Sequence, residues 1–559
     1  MARFKSKELP LTIKYIDPTY TVRSCKANAY DSVYCSDLAG HAVHGAMAGL
    51  TGISVVKVYG RYVYMPLQAI LRATAQHKCL NPKGRWFARM LFTTRQPGFE
   101  PDGFEYPPTP DSGMRDKSTA LSFAEVLLEG TEVRRLLCAN LGDTFPTRAV
   151  NTSLQYNERA FVQANSWSTQ TLQRQSGAET QGRSYLQLLR CGPRATLHFE
   201  PAECAAAIVT CGGLCPGLNS VVRELSRMLL AYGVPTVYGI RGGYNGCSKE
   251  EDWINLTQDT VQDIHTQGGS ILVSDRGNPP VSEIAEVMKR RNIRQFFVLG
   301  GDGTHKGAMA TFKEMAAIGH ECAVVGVPKT IDNDIQLLDR SFGFQTACTE
   351  AEKAIYSAYV ESTTNANCIG LVKLMGRHCG WIAAYATLAL RNVDVCLIPE
   401  MNISLPKLLE YVASVMRRKR CGVVVVAEGC GDTIIEASGE VDAGGNKKLA
   451  DVGLYLKDEI TRHCKGQGIP ITIKYIDPTY MIRSVPANAF DSQYCAALAQ
   501  EAVHAAMAGY TGISVGMVDG RYVMLPIHAI TEHGPRKVDL GSRVFERLMA
   551  TTAQPNLEP

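Results

Sequence analysis

The 559-residue chain has no uninterrupted apolar stretch of membrane-spanning length, and its opening Met1-Ala-Arg-Phe-Lys lacks a secretory apolar region. Both lacks argue against membrane insertion and secretion. None of its 18 cysteines falls in CxxC spacing; they stand singly in apolar runs, as at Cys211, Cys322, Cys368, Cys396 and Cys421. Reduced thiols of a cytoplasmic compartment, or of a plastid stroma, are the expectation. Acidic residues are missing between Asp37 and Glu100, where Lys57, Arg61, Arg72, Lys78, Lys83, Arg85, Arg89 and Arg95 fall, so the remainder of the chain is slightly acidic despite a net charge of +4. A solvated basic surface explains such a run, with an anionic partner or membrane as the alternative. No basic motif with interleaved aromatics supports nucleic-acid binding. What remains is an ordinary globular composition, 45% hydrophobic and 20% charged, long enough for two or three domains and a large core.

The chain repeats itself once. Thr12 to Ile70 reappears as Thr472 to Ile530 without a gap, and weaker likeness runs on to Glu100-Pro101 and Glu558-Pro559. One repeat at so long a period is no solenoid. In a helix over Asp491 to Ala508, the residues Tyr494, Leu498, Ala502, Val503, Ala506 and Met507 form one face at helical spacing, and Tyr34, Leu38, Ala42, Val43, Ala46 and Met47 repeat it unchanged. Most differences (Ser36/Ala496, Asp37/Ala497, Gly40/Gln500, His41/Glu501) lie on the other side. The first copy thus carries a face made for burial without the sheet that should cover it. It is either the fused remnant of a tandem duplication or an extension that docks or mediates assembly; as a remnant it would leave the full chain with extra apolar surface and a readiness to associate. The implied organisation is a partial duplicate over 1–101, a connector over 102–200 and a catalytic region over 201–559. The connector is breaker-rich at Pro101-Asp-Gly, Pro107-Pro108 and Pro110-Asp-Ser-Gly, then rich in Ser, Thr, Asn and Gln from Thr147 to Arg183.

From Ala205 onward strands alternate with helices, as βαβ crossovers and a mainly parallel α/β sheet require. Two loops follow β-branched runs: Gly300-Gly301-Asp302-Gly303-Thr304 after Gln295 to Leu299, and Pro328-Lys329-Thr330-Ile331-Asp332-Asn333-Asp334 after Ala323 to Val327. Loops at the carboxyl ends of such strands are where open α/β sheets bind ligands. Close-approaching glycine backbone before a helix suits phosphate, and a carboxylate there suits magnesium. Three acids and a lysine beside a phosphate loop fit phosphoryl transfer to a hydroxyl.

These segments, with Gly212-Gly213-Leu214-Cys215-Pro216-Gly217, Met375-Gly376-Arg377, Ala427-Glu428-Gly429 and Lys474-Tyr-Ile-Asp-Pro-Thr-Tyr480-Met-Ile-Arg483, resemble the phosphofructokinase family in its own order, and most of all its ATP-dependent plant and green-algal members. The resemblance implies two Rossmann-like lobes: a nucleotide lobe over about 204–345 and a sugar-phosphate lobe over about 346–530, with a C-terminal extension over 531–559. It implies ATP-dependent phosphorylation of the 1-hydroxyl of fructose 6-phosphate, with Mg2+, in a homo-oligomer that engages neither nucleic acid nor membrane. Asp302 is then the metal ligand, joined by Asp334, and Asp332 the general base. Gly213, Tyr244, Arg276, Gly301, Gly303 and Thr304 line the nucleotide, and Lys329, Thr330 and Arg377 act on the transferring group. Asp334, Met375, Gly376, Glu428, Lys474, Tyr480 and Arg483 hold the sugar phosphate. Gly303 favours ATP, since pyrophosphate-dependent members place there an Asp that excludes the inner phosphate. Lys329 is the type seen in pyrophosphate enzymes, although the plant-like ATP group carries it too. Val273-Ser274-Asp275 departs from the Gly-Thr-Ser expected of plant enzymes, so Val273 would crowd the donor. Cys368 stands where bacterial relatives have an intersubunit arginine. Pyrophosphate-dependent transfer and a non-catalytic regulatory paralogue are the alternative readings.

Overall fold

A computed structural model describes residues 12–58, 60–74, 80, 84–96, 132–147, 149–152, 161–170, 184–275, 277–435 and 450–559. In chain order the elements used below begin with α1 (Ala29–Met47), β1 (Ile53–Val58), β2 (Arg61–Pro66) and α2 (Arg85–Thr94) of the duplicate. The connector supplies β3 (Glu132–Leu136), β4 (Trp167–Thr169) and β5 (Ser184–Arg190). The first lobe holds β6 (Ala205–Thr210), α3 (Leu218–Tyr232), β7 (Thr236–Ile240), β8 (Ile254–Asn255), β9 (Ile293–Gly300), α4 (Asp302–Ala317) and β10 (Ala323–Pro328). The second follows with α5 (Phe344–Thr364), β11 (Cys368–Leu374), α6 (Trp381–Leu390), β12 (Val395–Leu397), β13 (Cys421–Ala427) and β14 (Thr472–Ile476). Last come α7 (Ala489–Met507), β15 (Ile513–Val518), β16 (Arg521–Pro526) and α8 (Arg543–Thr551).

The larger sheet has the order β8-β7-β6-β9-β10-β15-β16-β5-β3, with β4 on β5. Strands β7, β6, β9 and β10 are parallel, and the chain leaves β6 toward β7 on one side before returning to β9 on the other. That reversal opens the crevice in which such sheets receive ligands, and the loops after β6 and β9 flank it. The second sheet, β12-β13-β11-β14, is parallel throughout, so the loops after β13, β11 and β14 also emerge side by side. Buried strand residues such as Phe296, Phe297, Val325 and Leu371 fix these loops to a rigid floor. Each large apolar side chain so buried stabilises the fold by roughly 1.5–3 kcal/mol.

One sequence expectation changes. The hairpin β15–β16, placed by sequence in the sugar-phosphate lobe, instead joins the first sheet, with β15 parallel to β10. Its turn at Asp519-Gly520 has φ of 47° and 70°, the primed geometry expected of a two-residue hairpin. The described part of the connector adds to the same sheet, for β5 pairs with β16 and extends it through β3.

Candidate active site

Three loops meet at the crevice of the first lobe. Gly212, at φ 82°, takes a conformation costly for any residue with a Cβ, and a Cβ there would lie 3.3 Å from Lys329 Nζ. Lys329 is buried and donates to the Gly213 carbonyl at 2.6 Å, while its own N–H donates to the Gly300 carbonyl. One lysine thereby ties the loops after β6, β9 and β10 together. Helix α4 starts at Asp302 with Gly301 as its cap, so the Asp302 carboxylate stands in the first turn, exposed, and pairs with Lys306 at 2.7 Å. A Cβ on Gly303 would meet nothing within 4 Å.

The turn after β10 carries the acids. Asn333 sits at φ 57° and accepts from the Ser341 N–H, and the Thr330 hydroxyl accepts from the Asp332 N–H at 3.1 Å. Asp332 is held at the bottom of the turn with its Oδ1 buried and without a hydrogen-bond partner. Burial pushes its pKa up to about 8, reinforced by the neighbouring charges of Asp334 and Glu428 and opposed by Lys329 and Arg377. Burial also raises Asp334, against a bond from Thr330. Asp302 adds its negative charge to the field at Asp334, so the three carboxylates share one electrostatic neighbourhood.

Facing them from the second lobe are the loops after β11 and β13. Met375 is buried, Gly376 adopts φ 129° where a Cβ would strike the Cys379 carbonyl at 2.4 Å, and the Gly429 N–H donates to the Gly376 carbonyl. This bond sets Arg377 beside Glu428, whose pKa rises through burial while Arg377 and Lys373 oppose the shift. Beyond β14, the Arg483 guanidinium lies 4.9 Å over the exposed Tyr480 ring. Lys373, which sequence reading passed over, pairs with Asp477 at 2.8 Å and Asp451 at 3.2 Å and so anchors the strand end from which Tyr480 and Arg483 rise.

Some predicted residues stand elsewhere. Lys474 lies on edge strand β14 beside Glu361 of α5, at 3.9 Å. Tyr244 is buried and donates to the Thr304 carbonyl at 2.8 Å, so it supports the first turn of α4 from beneath. Arg276 lies outside the described residues. Val273 has φ 51° and is half exposed; only glycine takes this backbone without cost, which explains the glycine expected there. A further support is His305, which burial keeps neutral: Nδ1–H donates to the Gly301 carbonyl at 3.0 Å and Nε2 meets the Ser514 hydroxyl at 3.0 Å. Its signal was its position one residue past GGDGT.

Among the described residues no three His, Cys, Asp or Glu side chains form a ready-made metal cage. Magnesium needs none, because it keeps several waters and takes one or two carboxylates together with substrate phosphates. The exposed Asp302 and the nearby Asp334, whose charge it meets, fit that demand for hard oxygen donors.

The comparisons agree with this geometry. The phosphofructokinase family model matches residues 205–506. ATP-dependent 6-phosphofructokinase 5, chloroplastic, of Arabidopsis thaliana is 46% identical over 408 residues, 72% of this chain and 75% of the relative. ATP-dependent 6-phosphofructokinase of Amycolatopsis methanolica is 44% identical over 376 residues, 65% of this chain and 82% of that one. A solved pyrophosphate-dependent phosphofructokinase from Marinobacter aquaeolei, 21% identical, shares the fold with a TM-score of 0.53 over 64% of this chain and 93% of its own. With a family model over more than half its length and relatives this similar, the chain belongs to the phosphofructokinase family.

Proposed function

We propose that the protein transfers the terminal phosphoryl group of ATP to the 1-hydroxyl of fructose 6-phosphate. One observation carries the chemistry: a buried carboxylate, Asp332, with an orphaned oxygen and a raised pKa, between phosphate loops and the facing Arg377 and Glu428. In this reading Asp332 takes the proton of the sugar hydroxyl, and its pKa lies near the working pH, where a general base is most effective. Gly213, Gly301 and Thr304 offer backbone N–H groups to the donor phosphates, while Lys329, Thr330 and Arg377 meet the charge of the transferring group. Asp302, with Asp334, would hold a magnesium ion, which when bound offsets charge on the donor phosphates. Tyr480 and Arg483 would take the 6-phosphate, the guanidinium fork supplying paired hydrogen bonds, with Met375, Gly376 and Glu428 against the sugar. Helical φ at Gly303 and open space around it mean the fold does not require glycine there, which supports a role in leaving room for the inner phosphate of ATP. Lys329 favours a second reading, pyrophosphate as donor. A coupled assay separates them: turnover with ATP and magnesium should far exceed that with pyrophosphate, and Gly303→Asp should weaken ATP use without unfolding the protein. Equal or better turnover with pyrophosphate sinks the ATP assignment.

No helix among the described residues is long and apolar enough to cross a membrane, and no disulfide joins the described cysteines. Those thiols support a cytosolic or stromal compartment.

A further inference from the structure

The duplicate folds as its original does. Helices α1 and α7 have matching bounds, and β1–β2 pairs Ile53 with Pro66 as β15–β16 pairs Ile513 with Pro526. Helix α2, opening Arg85-x-Phe-x-Arg89, is the counterpart of α8, opening Arg543-x-Phe-x-Arg547. What differs is the docking. Helix α7 buries Val503 and Met507 completely, whereas their counterparts Val43 and Met47 on α1 are 60% and 84% exposed. Instead α1 buries Ala29, Val33, Asp37, His41 and Gly45. The face the sequence marks for burial is thus open, and the face on which the copies diverge is the one that docks.

That docking is reciprocal. Arg547 of α8 forms an ion pair with Asp37 and lies 3.3 Å from His41, both on α1. Arg89 of α2 pairs with Glu501 at 2.9 Å and bonds Gln500 at 2.9 Å, both on α7. Arg89 is the counterpart of Arg547, and His41 that of Glu501, so the same two positions meet twice, once in each direction. Gly40 and Gln500 follow suit, since a Cβ on Gly40 would lie 3.9 Å from Arg547 Nε. Tyr30 and Phe490, each the other's counterpart, stack with ring centroids 5.1 Å apart. Position i meeting j, j meeting i, and one position meeting itself are the marks of a two-fold, isologous interface. Charge has been kept complementary through different residues: where Glu501 has become His41, an acid absent from the original, Asp37 in place of Ala497, stands one turn earlier to receive Arg547.

We propose that the duplicate occupies, within its own chain, the place the equivalent segment of a second copy would take across a two-fold axis, so that the surface bearing Phe490, Glu501 and Arg547 is a self-association face already filled. Wild-type chains then cannot join through this face. Displacing the duplicate frees Glu501 to pair with Arg547 of a second chain, and Arg547 with that chain's Glu501.

Two measurements on the full chain test this. In Tyr30→Cys/Phe490→Cys protein, oxidation followed by peptide mass spectrometry should link residues 30 and 490 within one chain. By light scattering, Asp37→Lys/Arg89→Glu, which sets like charges against Arg547 and Glu501, should raise the mass about twofold over wild type, the step expected of a closed two-fold contact. Adding Arg547→Glu, which puts an acid opposite Glu501 of the second chain, should restore the wild-type mass, and unchanged kcat in all variants reports an intact body. A 30–490 linkage that is absent or runs between chains overturns the proposal, as does an unchanged mass in Asp37→Lys/Arg89→Glu.

Discussion

Asp332 is where residue chemistry and fold meet. Its raised pKa means that the base form is gained as pH climbs toward about 8, so kcat/KM should rise along that limb. Replacing Asp334 by Asn removes a neighbouring negative charge and favours the ionised form, so the limb should move to lower pH; a pH–rate profile that stays in place would show that Asp334 does not act on the base. Val273 gives a second residue-scale test. Left-handed backbone at a β-branched residue costs roughly 1–2 kcal/mol, and Val273→Gly should lower the KM for ATP without lowering Tm. An unchanged KM would mean that the side chain does not crowd the donor. At this scale the sequence was informative about which charged residues come together, since Asp332 lies in the field of Asp334, Glu428, Lys329 and Arg377. It was silent on His305 and Lys373, whose roles arise from contacts with Ser514 and Asp477 that lie far off along the chain.

At the scale of elements, the strands that carry the loops were legible because β9, β10, β11 and β13 are predominantly apolar and rich in β-branched or aromatic residues. Their neighbours were not. The Asp519-Gly520 turn between β15 and β16 marks a hairpin but cannot say which sheet receives it, since that depends on the backbone edge β10 leaves open. The loop after β14 depends on an ion pair: Lys373 is largely buried and its bond to Asp477 fixes the strand end. Asp477→Asn should therefore raise the KM for fructose 6-phosphate about three- to tenfold, in line with loss of a charge-assisted hydrogen bond, while kcat changes little. A fall in kcat with KM unchanged would place Asp477 in the chemistry instead.

The molecule as a whole consists of one lobe on a mixed sheet and one on a parallel sheet, with loops that face one another, and a duplicate fitted onto both. Sequence reading foresaw the apolar face of α1, where Val43 and Met47 stand exposed, but not that the opposite face docks through Arg547 on Asp37 and Arg89 on Glu501. Internal symmetry of contacts cannot be read from a chain in which only the positions repeat. In the proposed reaction one acid on the first lobe, Asp332, serves as base for a sugar held by the second. Steady-state kinetics of Asp332→Ser measures that step. Loss of a general base typically lowers turnover about 10²- to 10⁴-fold, or roughly 3–5 kcal/mol of barrier. Asp332→Ser should show that fall in kcat with the KM for fructose 6-phosphate nearly unchanged, whereas near-normal kcat would contradict the account.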